Sequence, residues 1–291
     1  MIRRPATKEQ ESVLETRPAH AGGWLGLDDR VVVVTGGASG IGHACCEAFA
    51  ANGARVVVAD VDVTGASACV RLRRDHGVET LFLRTDISLA SDAAGLAEAV
   101  VARFGRLDIL INNAGVNIPR LLVDPQGERE LSETIWDRMM GINVKGAYLC
   151  AQAAARAMLA TGGGVIVNIS SESGLEGSEG QSGYSAGKAA LYGMTRSWAK
   201  EMGRRGVRVV GVAPGILEAT GLRSPAYEDD LAYARGISVE KLRKGYVTSA
   251  IPLGRPGRLS EVADLVAFLA SDRASYIHGT VVNISGGKSR E

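Results

Sequence analysis

From Arg30 onward the chain alternates short β-branched runs with alanine-rich helical stretches, and this alternation limits the folds open to it. Valine- and isoleucine-rich runs recur at 30–35, 55–60, 80–85, 107–112, 164–170, 207–213 and 280–285. Arg30-Val-Val-Val-Val-Thr35 is continuously apolar, as a strand buried on both faces of a parallel sheet must be. Helical segments are expected between the runs at 40–51, 65–76, 91–104, 133–160, 182–205 and 260–270. In the last of them Val262, Leu265, Val266 and Leu269 fall on one helical face. Alternation of this kind predicts one α/β domain, a parallel sheet of about seven strands with helices on both faces. Right-handed crossovers then make the sheet doubly wound.

The domain is expected to occupy residues 24–291, with no repeat, low-complexity tract or interdomain linker inside it. Residues 1–23 carry charges and prolines with almost no apolar periodicity, and read as a flexible N-terminal extension. Arg3-Arg4 is not followed by an apolar stretch of the export type, so a cytoplasmic protein is expected. Residues 217–251 break the alternation with Tyr227, Glu228, Asp229, Asp230, Tyr233 and Arg235. An insertion after a parallel strand lies over the ligand crevice, so this segment is read as a substrate lid.

Composition narrows the function classes. The chain has 46% apolar and 22% charged residues and a net charge of +1, which offers no basic field for nucleic acid or anionic lipid. No apolar run reaches the roughly 18 residues of a membrane span. Cys45, Cys46, Cys69 and Cys150 lack metal-type spacing and are expected to be buried free thiols, with no metal site.

Thr35-Gly-Gly-Ala-Ser-Gly-Ile-Gly42 follows the first strand and opens a helix. Gly36, Gly40 and Gly42 let the backbone lie against a pyrophosphate, while the helix presents its N-terminal N–H groups to that anion. Asp60 closes the second strand, where a carboxylate accepts hydrogen bonds from the adenosine ribose and repels a 2′-phosphate. Neither Ala38, Ser39 nor Val61 supplies a compensating cation, so the cofactor is expected to be NAD rather than NADP. Tyr184-Ser-Ala-Gly-Lys188 places a phenol and an ammonium one helical turn apart on the same face. A tyrosine titrates near 10, and its use as a base near neutrality costs about 4 kcal/mol unless nearby cations hold the phenolate.

These motifs, with Asn112-Asn-Ala-Gly115 and Ser170-Ser171 between them, resemble the short-chain dehydrogenase/reductase family from Val31 to Gly287. The resemblance implies Tyr184 as general acid/base, Lys188 as its electrostatic partner and ribose ligand, and Ser171 as the donor to the reacting oxygen. Asn143 would hold the lysine through water; Ser170 and Ser173 rival Ser171 on spacing alone, but the strand-end position favours Ser171. Cofactor contacts are implied at Gly36, Ser39, Gly40, Ile41, Gly42, Asp86, Ile87, Asn112, Ala114, Gly115, Pro214, Gly215 and Leu217. The family's usual threonine five residues after Pro214 is replaced by Ala219, with Thr220 beside it. A homotetramer is expected by the same analogy.

Stretches around the substrate mouth, 113–124, 170–182 and 209–218, resemble family members that oxidise a polyol phosphate to its ketose. The phosphate would need a cation, for which Arg120, Arg223, Lys288 and Arg290 are candidates; Glu172, Glu176 and Glu179 could accept from hydroxyls. An unphosphorylated polyol dehydrogenase, a 3-oxoacyl-carrier-protein reductase and an inert dinucleotide sensor share the motifs. Asp60 speaks against the reductase, which usually takes NADP. The presence of Ser171, Tyr184 and Lys188 speaks against the sensor.

Overall fold

The computed structural model describes residues 23–218, 220, 223–248 and 251–289. The expected extension, save Gly23, lies outside the described residues, as do Ala219 and Arg290. Seven parallel strands form one sheet in the order β3-β2-β1-β4-β5-β6-β7. They are β1 (Val31–Thr35), β2 (Arg55–Asp60), β3 (Thr80–Arg84), β4 (Ile109–Asn112), β5 (Gly164–Ile169), β6 (Val207–Pro214) and β7 (Val281–Ile284).

The valine run of β1 shows why the sheet is covered on both sides. Side chains alternate across a strand. Accordingly, Val32 and Val34 enter one core with Phe49, Val262 and Val266, while Val31 and Val33 enter the other with Val100, Ala154 and Met158. The first core lies under α1 (Gly40–Ala51), α2 (Gly65–His76) and α10 (Leu259–Ala270). The second lies under α3 (Ala90–Phe104), α5 (Ala147–Ala160) and α7 (Ser182–Met202). Strand order reverses between β1 and β4, so the crevice at their carboxyl ends is the switch point where ligands bind in such sheets.

The helix expected at 133–160 is three pieces: α4 (Glu133–Met140), a π-helical turn (Gly141–Gly146) and α5. Asn143 accounts for the local geometry. Its Oδ1 accepts from the Val116 amide and its Nδ2 donates to the Val116 carbonyl, both at 2.8 Å. Those bonds tie the turn to the loop after β4, and single π-turns recur at functional sites. The 217–251 segment contains α8 (Pro225–Ala234) and α9 (Val239–Thr248), joined through Leu231, Ala232 and Leu242. The remaining helix, α6 (Ser173–Glu176), is a single turn after β5.

All four cysteines are free and buried. Among the described residues no helix is long and apolar enough to cross a membrane, and no cluster of metal-ligating side chains occurs.

Candidate active site

A cavity of about 650 Å³ runs along the carboxyl edge of the sheet, from the β1–α1 turn past β5 to α8 and α9. Its first wall is the glycine turn. Gly36 has φ of 64°, and a Cβ there would meet the Ala114 Cα at 2.8 Å. Asn113 stitches the turn in place by donating to the Thr35 and Gly36 carbonyls. Ser39 caps α1 without spending its hydroxyl on the helix, and Ser39, Gly40 and Ile41 face the cavity. The N-terminus of α1 is thus available to an anion.

Gly42 differs from its expected placement. It does not line the cavity; a Cβ on it would lie 2.1 Å from the Gly36 carbonyl oxygen, so its smallness lets α1 approach the turn. Gly42→Ala should therefore lower Tm and weaken dinucleotide binding together, because a fixed backbone atom must move. Thermal melting and a fluorescence titration would check this.

Asp60 lines the cavity with its carboxylate already oriented. Oδ2 accepts from the Ala38 amide and Oδ1 from the Asp62 amide, each at 3.0 Å. The lysines and arginines that line the cavity sit on α7, the 217–251 segment and the C-terminal turn, and none follows β2. Asp86 accepts from the Ser88 amide and hydroxyl, and Asp86, Ile87, Ala114, Gly115, Pro214, Gly215 and Leu217 all face the cavity. Asn112 does not. Its side chain turns inside the sheet and donates to the Ala147 carbonyl and to Asn168, because a buried amide must find partners. Thr220 lies against Gly40 and reaches the cavity.

Deeper in the cleft Ser171, Tyr184 and Lys188 meet. Ser171 Oγ accepts from the Ser173 hydroxyl at 2.9 Å and sits near enough to Tyr184 to lower the titration of its phenol. Ser170 is spent elsewhere, donating to the Lys188 carbonyl within the core. The rival serines are thereby separated by their partners.

Lys188 is 4% exposed; its Nζ donates to the Ile169 carbonyl at 2.7 Å and lies 5.7 Å from the Tyr184 ring centroid. Burial pushes this ammonium down to about 8. Burial also pushes the Tyr184 phenol up to about 12. Loss of water dominates the phenol within the protein alone, and Ser171 rather than Lys188 opposes it there. Asn143 stands behind this group, 1% exposed, with both polar atoms on Val116 and no face on the cavity.

The substrate-side residues divide. Glu172 lines the cavity, but its oxygens accept from Lys288 Nζ at 2.8 Å and from the Ser289 hydroxyl at 3.0 Å. Arg223 lines the cavity and stacks on Tyr246, 4.3 Å from the ring centroid. Arg120 corrects the expectation placed on it. It pairs with Asp230 and the Pro119 carbonyl outside the cavity wall, because a carboxylate on α8 reaches it first.

Sequence reasoning missed Lys241 and Tyr246 and treated Tyr227 and Arg235 only as composition, yet all four line the cavity. The available signal was helical spacing: Tyr227 and Leu231 on α8 and Arg235 at its C-cap recur every fourth residue, and all face inward.

A short chain dehydrogenase family model matches residues 30–231, and the chain belongs to that family. It is 54% identical over 270 residues to the sorbitol-6-phosphate 2-dehydrogenase of Klebsiella pneumoniae, covering 92% of this chain and 98% of that one. It is 36% identical to a 3-oxoacyl-[acyl-carrier-protein] reductase of Thermotoga maritima, covering 90% and 98%. Among solved structures, L-sorbose reductase from Gluconobacter frateurii, complexed with NADPH and L-sorbose, superposes with a TM-score of 0.82 at 27% identity, covering 92% and 99%. The chain is an alcohol oxidoreductase that uses a nicotinamide dinucleotide and a small-molecule substrate.

Proposed function

We propose that the protein oxidises D-glucitol 6-phosphate to D-fructose 6-phosphate with NAD, with Tyr184 as the proton-transfer group. The observation that carries this reading is 54% identity, over nearly the whole chain, to the Klebsiella sorbitol-6-phosphate 2-dehydrogenase. The cleft is consistent with it. Gly36, Ser39, Gly40 and Ile41 would hold the pyrophosphate, Asp60 the adenosine ribose, Asp86 and Ile87 the adenine, and Lys188 the nicotinamide ribose. Ala114, Gly115, Pro214, Gly215 and Leu217 would line the rest of the dinucleotide's path. When bound, the dinucleotide supplies the hydride acceptor.

The chain's own residues handle the proton. Ser171 donates to the reacting oxygen, and Tyr184 takes the hydroxyl proton during oxidation and returns it during reduction. Lys188 stabilises the phenolate that results, and Asn143 fixes the π-turn and the β4 loop behind the lysine. The 217–251 segment acts as a lid, placing Arg223 over the substrate end, and the Lys288–Glu172 pair borders it. The protein is read as a cytoplasmic homotetramer by family analogy.

Asp60 supports NAD as the cofactor. Its carboxylate repels a 2′-phosphate, so kcat/KM should favour NAD over NADP, and Asp60→Ala should narrow that preference. Initial rates with both cofactors would check this; equal efficiency in the unmodified protein would remove the NAD assignment. The reaction itself is tested by incubating the protein with NAD and D-glucitol 6-phosphate and identifying the product by NMR. D-fructose 6-phosphate is the expected product. Activity confined to 3-oxoacyl thioesters with NADPH would instead support the reductase reading.

A further inference from the structure

The substrate end of the cleft holds cations of a different kind from those around it. On the outer side of the 217–251 segment, Arg243 pairs with Glu228 and Lys244 with Glu240. Beside it, Arg120 and Arg129 pair with Asp230 and Asp229. None of these four lines the cavity. Three cations of the same segment do line it, Arg223, Arg235 and Lys241, and among the described residues none of the three has a carboxylate partner. Arginine and lysine facing a cleft without a counter-ion leave it electropositive, which attracts an anion.

The surroundings fix the two arginines in place. Arg223 lies flat on Tyr246 and donates to the Leu217 carbonyl. Arg235 reaches across to the loop before α7 and donates to the Ser178 hydroxyl at 3.1 Å. Stacking or a single hydrogen bond leaves most of each guanidinium fork unspent.

The Tyr246 hydroxyl is buried and has no hydrogen-bond partner in the described structure. Buried hydroxyls are nearly always paired, so one left open on a cavity wall is poised for a ligand. Burial pushes this phenol up to about 12, with Arg223 and Arg235 opposing, so it remains a proton donor at neutral pH. The neighbouring Tyr227 hydroxyl accepts from Gln181 Nε2 at 2.9 Å, which leaves its own proton free to donate.

We infer that Arg223, Arg235, Lys241 and Tyr246 form a phosphate-monoester subsite that holds the phosphate of the substrate at the α8–α9 end of the cleft. The inference rests on the proposed polyol-phosphate reaction and adds the residues that would select the ester. A dianion with three terminal oxygens matches two guanidinium forks, one ammonium and a neutral donor. Arg120, excluded by its pairing with Asp230, takes no part.

The test compares kcat/KM for D-glucitol 6-phosphate with that for D-glucitol, in the full-length protein and in R223Q, R235Q and Y246F. Loss of a charge-assisted hydrogen bond should lower the ester-to-polyol ratio of R235Q by roughly 10–150-fold, through KM rather than kcat. R223Q should behave alike, and Y246F should lose about 3–10-fold, as for a neutral donor. Thermal melting identifies any variant that fails to fold, and the remaining variants then carry the comparison.

A second arm needs no turnover: calorimetric titration with D-glucitol 6-phosphate and with inorganic phosphate. If the unmodified protein binds the ester without oxidising it and R235Q loses that binding, the subsite stands and the proposed reaction falls. If the unmodified protein uses ester and free polyol equally, the subsite is wrong. It is also wrong if folded R235Q and Y246F keep both the ratio and the affinity within about twofold.

Discussion

Replacing Tyr184 with phenylalanine should lower kcat by about 10²–10⁴-fold, the contribution expected of a positioned general acid/base, while dinucleotide affinity stays near its starting value. The substitution removes one oxygen and leaves the ring against Lys188, so packing is preserved. Because burial pushes the phenol up to about 12, the protonated form is the resting one at neutral pH. Oxidation needs the phenolate and reduction needs the phenol. Oxidation should therefore accelerate with rising pH and reduction with falling pH, and Y184F should lose this opposition. Stopped-flow or steady-state rates in both directions would show it. Near-full turnover in Y184F would move the proton-transfer role to another group.

Lys188→Met should damage binding and chemistry together. The ammonium is buried beside Gly115 and donates to the Ile169 carbonyl, so its loss removes a charge from the phenol and leaves that carbonyl without its donor. We expect kcat to fall by on the order of 10²-fold or more, with a weaker dinucleotide complex measured by fluorescence titration. Lys188 has its own pH signature. With its titration pushed down to about 8, the cation is present at neutral pH and is lost as pH rises through that value. Oxidation should accordingly pass through a maximum on the alkaline side, with apparent pKa values that belong to the tyrosine–lysine pair. An unchanged dinucleotide affinity in K188M would contradict the ribose role given to the lysine.

The sheet was legible because β1 could be apolar throughout only if both faces were covered, and the structure buries Val31 to Val34 completely. Helix ends near residues 51 and 76 were legible for a local reason: Asn52 and Gly77 follow them, with Gly77 at φ of 71°. The break at Gly141–Gly146 was not legible. Its cause is a pair of bonds from Asn143 to Val116, a contact between residues 27 positions apart.

Tertiary pairing also governed what could be read of the site. The strand-end position pointed to Ser171, and the partners of Ser170 and Ser173 separate the three hydroxyls. Arg120 carried the right charge in a suggestive place, and only the fold brings Asp230 to it. Arg235 and Tyr246 went unassigned because their significance lies in lacking a carboxylate or a hydrogen-bond partner. A residue's lack of partners cannot be seen before its neighbours are known.

Polyol-phosphate oxidation is read out by reduced-nicotinamide absorbance after mixing the protein with NAD and D-glucitol 6-phosphate. Absorbance should grow in dependence on the polyol phosphate, with kcat/KM higher for NAD than for NADP and higher for the ester than for free D-glucitol. No growth with any polyol or polyol phosphate, in a preparation shown to bind dinucleotide, would contradict this reaction.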